Sequence, residues 1–410
     1  MNSEWQETLL ANLLTFANGK TSPSRLEKFP YPVFGSNGII GYSEEVNTSK
    51  SSIIIGRVGS YCGSVYFSDS DCWVTDNAIY ALPKGENDPK FFYYLLSNLN
   101  LNQWRSGSGQ PLLNQSILNS ISVKVPSSQT QQAIADILNS LDEKIELNRQ
   151  MSKTLEDIAS TLFKSWFIDF DPVKAKAAGQ EPEGLSPEIA ALFPDSFVDS
   201  PLGKIPKGWK YCTIGSKLTT ILGGTPSRLK PEYWTNGSVP WINSGKTNEF
   251  RIIKPTERIT QEALLKSATK LLPARTTVLA ITGATLGQVS ITEIECCANQ
   301  SVVGILANDL IPTEFIYLWV KKNIDKLISA QTGGAQQHIN KGNVNELALV
   351  CPNHQILNVY RNQASPIFDK ISMTCFQSEN LVTLRNLLLP KLINGEIEIQ
   401  DAEILLSSIT

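Results

Sequence analysis

Two long stretches of the chain repeat apolar residues at alternating intervals of four and three, the spacing that places them on one face of a helix. The first stretch, over 127–170, contains neither proline nor glycine, and the second, over 353–410, has Pro366 near its start. Sustained over about four heptads, this spacing is typical of a coiled-coil seam. We therefore predict a long helix over 127–170, and a second helix followed by a tail over 353–410.

The ends of these helices carry their own signals. Ser128 followed by Gln131 is a capping box, which predicts the start of the first helix. Pro366 cannot donate a backbone hydrogen bond, so we expect it to kink the second helix or to move its start downstream.

An antiparallel pair is favoured, because a parallel pair would require the chain to return over a full helix length, roughly 48 Å for about 32 residues. In the antiparallel pair that best aligns the apolar residues, the numbers of two facing residues sum to 526. The facing apolar pairs are then Ile134 with Leu392, Leu138 with Leu388, Ile145 with Leu381, Leu155 with Ile371, Ala159 with Ile367, Leu162 with Ala364 and Trp166 with Tyr360. A central polar layer then pairs Asn148 with Ser378 and Ser152 with Thr374, and Leu141 opposite Arg385 is the one mismatch. Such a layer fixes the register of a coiled coil.

The segments that precede the two helices repeat each other. The run 53–65 matches 277–289 at a shift of 224, and 107–114 matches 333–340 at a shift of 226. Near the start of each copy, Trp5 and Gly19 recur as Trp209 and Gly223. A period this long indicates a duplicated domain rather than a solenoid.

Each copy contains short β-rich runs between glycine and aspartate turns, followed by a helix, over 89–99 and 313–329. The predicted fold is α+β, with two tandem repeated α/β domains separated by an antiparallel two-helix coiled coil. The predicted boundaries are 1–126 and 209–352 for the domains, with a linker over 171–208.

Composition excludes several classes of protein. The 410 residues include seven cysteines without a CxxC pair and two histidines, which support neither a disulfide framework nor a histidine metal site. No run approaches 18 apolar residues and the start lacks a signal peptide, so we expect a soluble cytoplasmic protein. The net charge of −3 hides an uneven distribution, since 209–352 carries 15 Lys+Arg against 10 Asp+Glu while 1–126 carries 9 against 10. Phosphate contacts should therefore concentrate in the second domain.

Motifs for catalysis were sought and are missing from the sequence. The amino-methyltransferase loop (Asn/Asp-Pro-Pro-aromatic) does not occur, and Gly245-Lys246-Thr247 imitates a phosphate loop whose first glycine would be Pro240. Asp169 and Asp171 end a predicted helix, where solvated carboxylates are the usual explanation. The sequence thus predicts a non-catalytic protein.

Several segments together resemble the DNA-specificity subunit of type I restriction-modification systems, and the resemblance covers essentially the whole chain. The segments that carry it are 155–159 (Leu-Glu-Asp-Ile-Ala), 162–173 (Leu-Phe-Lys-Ser-Trp-Phe-Ile-Asp-Phe-Asp-Pro-Val), 223–227 (Gly-Gly-Thr-Pro-Ser) with Tyr233-Trp234, and 388–397 (Leu-Leu-Pro-Lys-Leu-Ile-Asn-Gly-Glu-Ile). The first domain has Asn18-Gly19-Lys20-Thr21 where the family often has a glycine pair.

The resemblance implies two target-recognition domains, each reading one half of a bipartite, asymmetric DNA site, with the coiled coil as a spacer. It also implies two methyltransferase subunits and two restriction subunits as partners, which would use S-adenosylmethionine, ATP and Mg, while this chain binds no cofactor. The alternative is a tandem binding module for another ligand, such as a carbohydrate, held apart by the coiled coil.

Candidate contact residues follow from side-chain chemistry. Donors and acceptors on glycine-rich loops read base edges, which gives Lys20, Arg57, Tyr61, Arg105, Gln110, Asn114, Thr282, Thr285, Gln336, Gln337 and Asn340. The expected phosphate contacts in the second domain are Arg228, Lys230, Lys246 and Arg275. The expected partner-binding residues are Leu155, Leu162, Phe163, Trp166, Phe167, Leu388 and Leu392.

Overall fold

The computed structural model describes residues 5–105, 112–330 and 339–407. The chain divides into two compact units, Met1–Glu146 with Glu379–Thr410, and Leu147–Ser378. Each unit contains one α+β domain together with parts of two long helices.

In its described residues, the first domain has nine strands and three short α-helices. The strands are β1 (Gln6–Leu9), β2 (Leu14–Asn18), β3 (Tyr31–Gly35), β4 (Gly38–Ser43), β5 (Ser52–Gly56), β6 (Val65–Ser68), β7 (Trp73–Val74), β8 (Ala78–Pro83) and β9 (Ser122–Val125), and the helices are α1 (Leu10–Leu13), α2 (Pro89–Asn98) and α3 (Gln115–Asn119). They form a four-stranded sheet in the order β2-β8-β5-β6, a three-stranded sheet β4-β3-β7 and a ribbon β1-β9. The strand β5 is buried along its whole length, because its isoleucines lie in the middle of the larger sheet.

The first long helix, α4 (Ser128–Phe167), is followed by α5 (Asp171–Ala177), α6 (Pro187–Leu192) and the hairpin β10 (Phe197–Ser200) with β11 (Gly203–Pro206). The predicted linker 171–208 is therefore folded. Its Phe193 is buried against Trp166 with ring centroids 5.1 Å apart, which fixes this segment on the end of α4.

The second domain repeats the first with additions. Its strands are β12 (Lys210–Thr213), β13 (Thr219–Leu222), β14 (Val239–Ile242), β15 (Glu257–Ile259), β16 (Leu271–Leu272), β17 (Thr276–Ala280), β18 (Val289–Thr292), β19 (Cys296–Ala298), β20 (Val302–Leu306) and β21 (Ala348–Cys351), and its helices are α7 (Ile214–Lys217), α8 (Gln261–Lys266), α9 (Thr313–Ala330) and α10 (Lys341–Glu346). The second long helix, α11 (His354–Ile393), and α12 (Ile399–Ser407) end the chain's described elements.

The sheets confirm the duplication. The order β13-β20-β17-β18 repeats β2-β8-β5-β6, and the ribbon β12-β21 repeats β1-β9. Even an unusual backbone conformation recurs, since Ser51 and Arg275, 224 residues apart, both have left-handed φ values of 64° and 65°. The difference lies in the smaller sheet, which gains β16 in the second domain to become β15-β14-β19-β16.

The two long helices run antiparallel, as predicted. Within the second unit, the hydroxyls of Ser152 and Thr374 hydrogen-bond at 2.7 Å, and their numbers sum to 526. Asn148 Nδ2 donates to Gln377 Oε1 at 3.0 Å rather than pairing with Ser378. Asn148, Ser152 and Thr374 are all buried, so the predicted polar layer exists with one partner shifted by a residue.

The predicted mismatch at Arg385 is resolved in the first unit. Leu384 is buried in the same core as Leu141, while Arg385 turns aside and pairs with Asp142. The seam therefore stays apolar at this point.

Two predictions about helix ends were wrong. The first cap of α4 is Ser127, whose Oγ accepts from the Thr130 backbone N–H at 3.3 Å, and Gln131 instead donates to the Pro126 carbonyl at 3.0 Å. Helix α11 begins at His354, so Pro366 does not move the start downstream; the helix continues through the proline, although its ring removes one backbone hydrogen bond there. The helix ends at Ile393, two residues before Gly395 with a φ of 68°, and the remaining residues form the tail.

A disulfide tests the helix register. Leu155 and Ile371 each lie three residues from the Ser152–Thr374 hydrogen bond, on opposite helices, so cysteines at both positions should crosslink on oxidation. The native Cys375, which neighbours Ser152, is replaced by serine in this experiment so that it cannot compete. Cysteines at 155 and 381 serve as the control, and crosslinking of that pair instead would mean a parallel register.

Candidate nucleic-acid interface

One short turn is built identically in both domains. After β5 the chain makes a 3-10 turn at Gly59–Tyr61, and after β17 it makes the same turn at Gly283–Thr285. Gly59 and Gly283 have φ values of 74° and 73°, a conformation that a side chain would strain. The turns thus project from the ends of central, buried strands, a rigid base for a contact surface.

The first domain gathers its described candidate residues around this turn. Tyr61 at its tip is 47% exposed. Arg57 precedes it and donates from Nη1 to the Asp76 carbonyl at 3.5 Å, and the Asp76 N–H donates to the carbonyl of the exposed Lys20 at 2.8 Å. On the other side, Arg105 donates to Asn102, whose backbone lies against Gly63. Lys20, Arg57, Tyr61 and Arg105 therefore form one surface.

The second domain has the same arrangement around its turn, with fewer charged side chains. Thr282 and Thr285 take part in its turn, and the Thr285 hydroxyl is 3.5 Å from the Thr282 carbonyl. The turn Ser244–Asn248 lies against it and carries Lys246, which pairs with Glu249 at 2.6 Å. Lys246 is thus placed beside the predicted loop, with its charge partly neutralised.

Asn114 and Asn340 have a structural role that was not predicted. Asn114 Oδ1 accepts from the Ile117 N–H at 2.9 Å, and Asn340 Oδ1 accepts from the Asn343 N–H at 3.0 Å. Each side chain caps the helix that follows it, α3 and α10. Their carbonyl oxygens are used by the fold, which leaves only the amide N–H groups for a ligand.

Arg228 lies on an aromatic surface. Its guanidinium is 3.5 Å from the ring centroid of Trp234 and makes two 2.7 Å hydrogen bonds to Glu257. The Glu257 hydrogen bonds raise the pKa of Arg228, so it stays charged. Lys230 donates to Tyr233 at 3.3 Å. Both cations are exposed, and Arg228 is already balanced by one carboxylate.

Arg275, one of the predicted phosphate contacts, forms ion pairs within its own unit. Its guanidinium is 2.9 Å from Glu314, 3.4 Å from Asp369 and 3.7 Å from Glu293. Three carboxylates of its own chain surround it, so its charge is already balanced, although its side chain is 27% exposed. The candidates Gln110, Gln336 and Gln337 lie outside the described residues.

Most of the predicted partner-binding side chains are used by the chain itself. Phe163, Trp166 and Phe167 are buried in the core of the second unit, and Leu388 and Leu392 in that of the first. Leu155 and Leu162 are half-buried. Phe163 shows why, since its ring contacts Phe315, Trp319 and Tyr360 at centroid distances of 5.4–6.4 Å. A partner cannot reach these five side chains without opening a core.

One feature of the second unit escaped sequence reasoning, a buried charge cluster around Arg251, Glu156 and Glu293. The Arg251 side chain is 0% exposed and those of the two glutamates are 12% and 2% exposed. The only sequence signal was that Glu156 belongs to the segment 155–159, which carries the family resemblance.

Within the described ranges, no group of three or more His, Cys, Asp and Glu residues could hold a metal ion, and no helix is long and apolar enough to cross a membrane. All seven cysteines are free. Four of them are buried, as expected of small apolar side chains, and burial raises the pKa of the Cys296 thiol to about 12.

Comparison with known proteins agrees with the duplicated architecture. The family model described as "Type I restriction modification DNA specificity domain" matches residues 2–157 and again 206–365. The chain is 29% identical over 401 residues to the type I restriction enzyme HindI specificity subunit of Haemophilus influenzae, covering 85% of this chain and 87% of that protein. It is 25% identical to the MjaIX specificity subunit of Methanocaldococcus jannaschii, with 78% and 72% covered.

A solved structure has a similar fold. The crystal structure of a type I restriction-modification S subunit from M. genitalium matches with a TM-score of 0.63 over 96% of this chain and 97% of that one, at 18% sequence identity.

Proposed function

We propose that the chain recognises DNA sequence and catalyses no reaction itself, because it belongs to the type I restriction-modification DNA specificity family. One domain reads each half of a bipartite, asymmetric site. The observation that carries this is the double family match, since 2–157 and 206–365 each contain one copy of the domain and the start of the long helix that follows. The alternative of a carbohydrate-binding module finds no support among the relatives.

The reading surface that we assign to each domain is the exposed turn after its central strand with its neighbours. In the first domain, this surface consists of Lys20, Arg57, Tyr61 and Arg105. In the second domain, it consists of Thr282, Thr285 and Lys246. Guanidinium, ammonium and hydroxyl groups supply the donors that base edges and phosphates accept from.

Assembly with partners is the second part of the proposal. The chain joins two methyltransferase subunits and two restriction subunits in the cytoplasm, and those subunits supply S-adenosylmethionine, ATP and Mg chemistry. The outer faces of the long helices offer a docking surface, because Leu147, Ile158 and Met373 are 55%, 51% and 65% exposed. The paired helices, in this proposal, also set the length of the unread spacer between the half-sites.

Methylome sequencing tests the function directly. Cells that express this chain with its methyltransferase subunits should acquire methylation at one bipartite motif, because the chain alone supplies sequence choice. Cells with the methyltransferase subunits but without this chain are the control and should show none. Methylation without a bipartite motif, or failure of the chain to co-purify with a methyltransferase subunit, contradicts the proposal.

A further inference from the structure

Arg251 occupies an unusual place in the second unit. It lies in the connection 243–256 between β14 and β15, and its side chain is fully buried. Its guanidinium is surrounded by three aromatic rings, with centroids 4.5 Å away at Phe250, 4.8 Å at Tyr317 and 5.3 Å at Phe368. Phe368 belongs to α11, so this residue of the recognition domain reaches the long helices.

Glu156 is the partner of Arg251 on the other long helix. Its carboxylate lies 3.3 Å from Arg251 Nη1 and accepts hydrogen bonds from the Tyr317 hydroxyl at 2.6 Å and from Lys321 Nζ at 3.2 Å. All three partners belong to the second domain, whereas Glu156 belongs to α4. One carboxylate therefore joins the helix to the domain by three contacts.

The charge state of Glu156 agrees with this role. Burial alone would raise its pKa, but the Tyr317 hydrogen bond and the charges of Arg251 and Lys321 outweigh burial and lower it. Glu156 is therefore ionised at neutral pH. The contacts to α4 become weaker only when the pH falls through this lowered pKa.

A second set of contacts joins the same domain to α11. Arg275 pairs with Asp369 at 3.4 Å and with Glu314 at 2.9 Å, and the Ser365 hydroxyl donates to Glu314 at 3.1 Å. Glu293 pairs with both arginines, at 3.5 Å and 3.7 Å. The two sets thus form one network that fixes the domain against both helices.

The first domain is joined to the long helices by different residues: the Tyr94 hydroxyl donates to Asp142 of α4 at 2.7 Å, and Arg385 of α11 pairs with the same carboxylate. The residue 226 positions after Glu156 is Val382, and the residue 224 positions before Glu314 is Lys90. The turn between β3 and β4 is too short to carry a counterpart of Arg251. The Tyr94–Asp142 contact lies along an open groove of about 520 Å³ beside α2, lined in part by Phe34 and Tyr93.

Buried ion pairs contribute little to net stability, but separating one buried charge from its partner is strongly destabilising, which disfavours domain orientations that break the pairs. The network is therefore suited to fixing an orientation.

We propose that Glu156 and Arg251 are positioning residues, which hold the second recognition domain in one orientation on the long helices and so restrict the DNA site to one spacer length. This inference rests on the proposed reading of a bipartite site. Each base pair added to the spacer moves a half-site by about 3.4 Å and rotates it by about 35°, so a domain in a fixed orientation rejects the wrong spacer.

Glu156→Gln is the primary variant, because it removes the charge at nearly constant volume and leaves Arg251 paired with Glu293. Asp157→Asn is the matched control, since Asp157 is the exposed neighbour on the same helix. The assembled complex with methyltransferase subunits is titrated with DNA whose half-sites are constant and whose spacer is shortened or lengthened by one base pair. We expect Glu156→Gln to lower the preference for the native spacer by about tenfold, with the half-site bases unchanged. Asp157→Asn should retain the wild-type preference.

A second pair of variants keeps the test decisive. Glu156→Gln combined with Arg251→Met should relax the spacer preference no further than the larger single effect, because both act through one link. If Glu156→Gln lowers the melting temperature so far that the complex does not form, Lys321→Met removes a half-exposed contact to the same carboxylate and should relax the preference more weakly. An unchanged spacer preference in folded Glu156→Gln complex overturns the inference. A wild-type complex without preference for any bipartite site overturns the proposed function instead.

Discussion

Exchanging residues 209–352 for the corresponding domain of another family member should change one half of the methylated motif and leave the other half intact. These boundaries suit an exchange, because the ribbon β12-β21 pairs Lys210 with Cys351 and brings the two ends of the segment together. Its reading turn, its sheets and its smaller cores all lie within the exchanged segment. Methylome sequencing of cells with the hybrid subunit gives the motif.

The reciprocal exchange of 1–126 is the matched control. The ribbon β1-β9 closes that domain in the same way, with Gln6 paired to Val125. Exchange of 1–126 should change the other half-site. Alteration of both half-sites by either exchange would contradict the assignment of one reader to each domain. The donor domain must also supply a cation for Glu156, since an unpaired buried carboxylate would destabilise the hybrid.

The long-range pattern of the sequence predicted the architecture well. The duplication, the ranges of the central strands and the antiparallel register all follow from spacing, because a buried strand or seam leaves a regular apolar trace. The observed pairing differs from the predicted pairing only where two adjacent residues both fit the apolar spacing. Leu384 and Arg385 are adjacent, and only the presence of Asp142 on the facing helix draws Arg385 out of the seam.

The candidate site was less predictable, because side-chain partners lie far apart in the sequence. Arg275 was predicted to contact phosphate from its charge and its loop position, yet its carboxylate partners are 39 and 94 residues further along the chain, at Glu314 and Asp369. Asn114 and Asn340 have the chemistry of base readers and equally that of helix caps. Each asparagine acts as a cap in the fold because a helix begins at the next residue.

The missing glycine pair of the first domain has a steric explanation. A Cβ at Gly224 would lie 2.8 Å from the Ala268 carbonyl carbon, next to the segment that leads into β16. The smaller sheet of the first domain lacks that strand, so the equivalent position accommodates Lys20. The departure from the family pattern therefore reflects a smaller sheet, and it places a cation beside the reading turn of the first domain.

Gly223→Ala should disable the second domain and spare the first. A Cβ at Gly223 would lie 2.1 Å from the Asn299 carbonyl oxygen and 2.4 Å from that of Ala298, both backbone atoms that cannot yield without moving β19. The equivalent Gly19 would meet the carbonyl oxygens of Thr75 and Val74 at 2.0 Å and 2.4 Å, so each domain requires the same close approach. We expect a loss of about 3 kcal/mol in the free energy of unfolding of the altered domain, at the high end for overpacking.

Thermal unfolding and the methylome together measure this effect. Gly223→Ala should lower the melting temperature and abolish methylation, since a single half-site no longer defines the motif. The purified variant should keep the unfolding transition of the first domain. Gly245→Ala is the matched control in the same domain, because its Cβ would meet side-chain atoms of Asn243, the nearest at 3.0 Å, and no backbone atom. If Gly223→Ala melts like the wild type and the motif is unchanged, then β13 and β19 do not pack this closely. The close approach at Gly19 and Gly223 would then not be a shared requirement of the two domains.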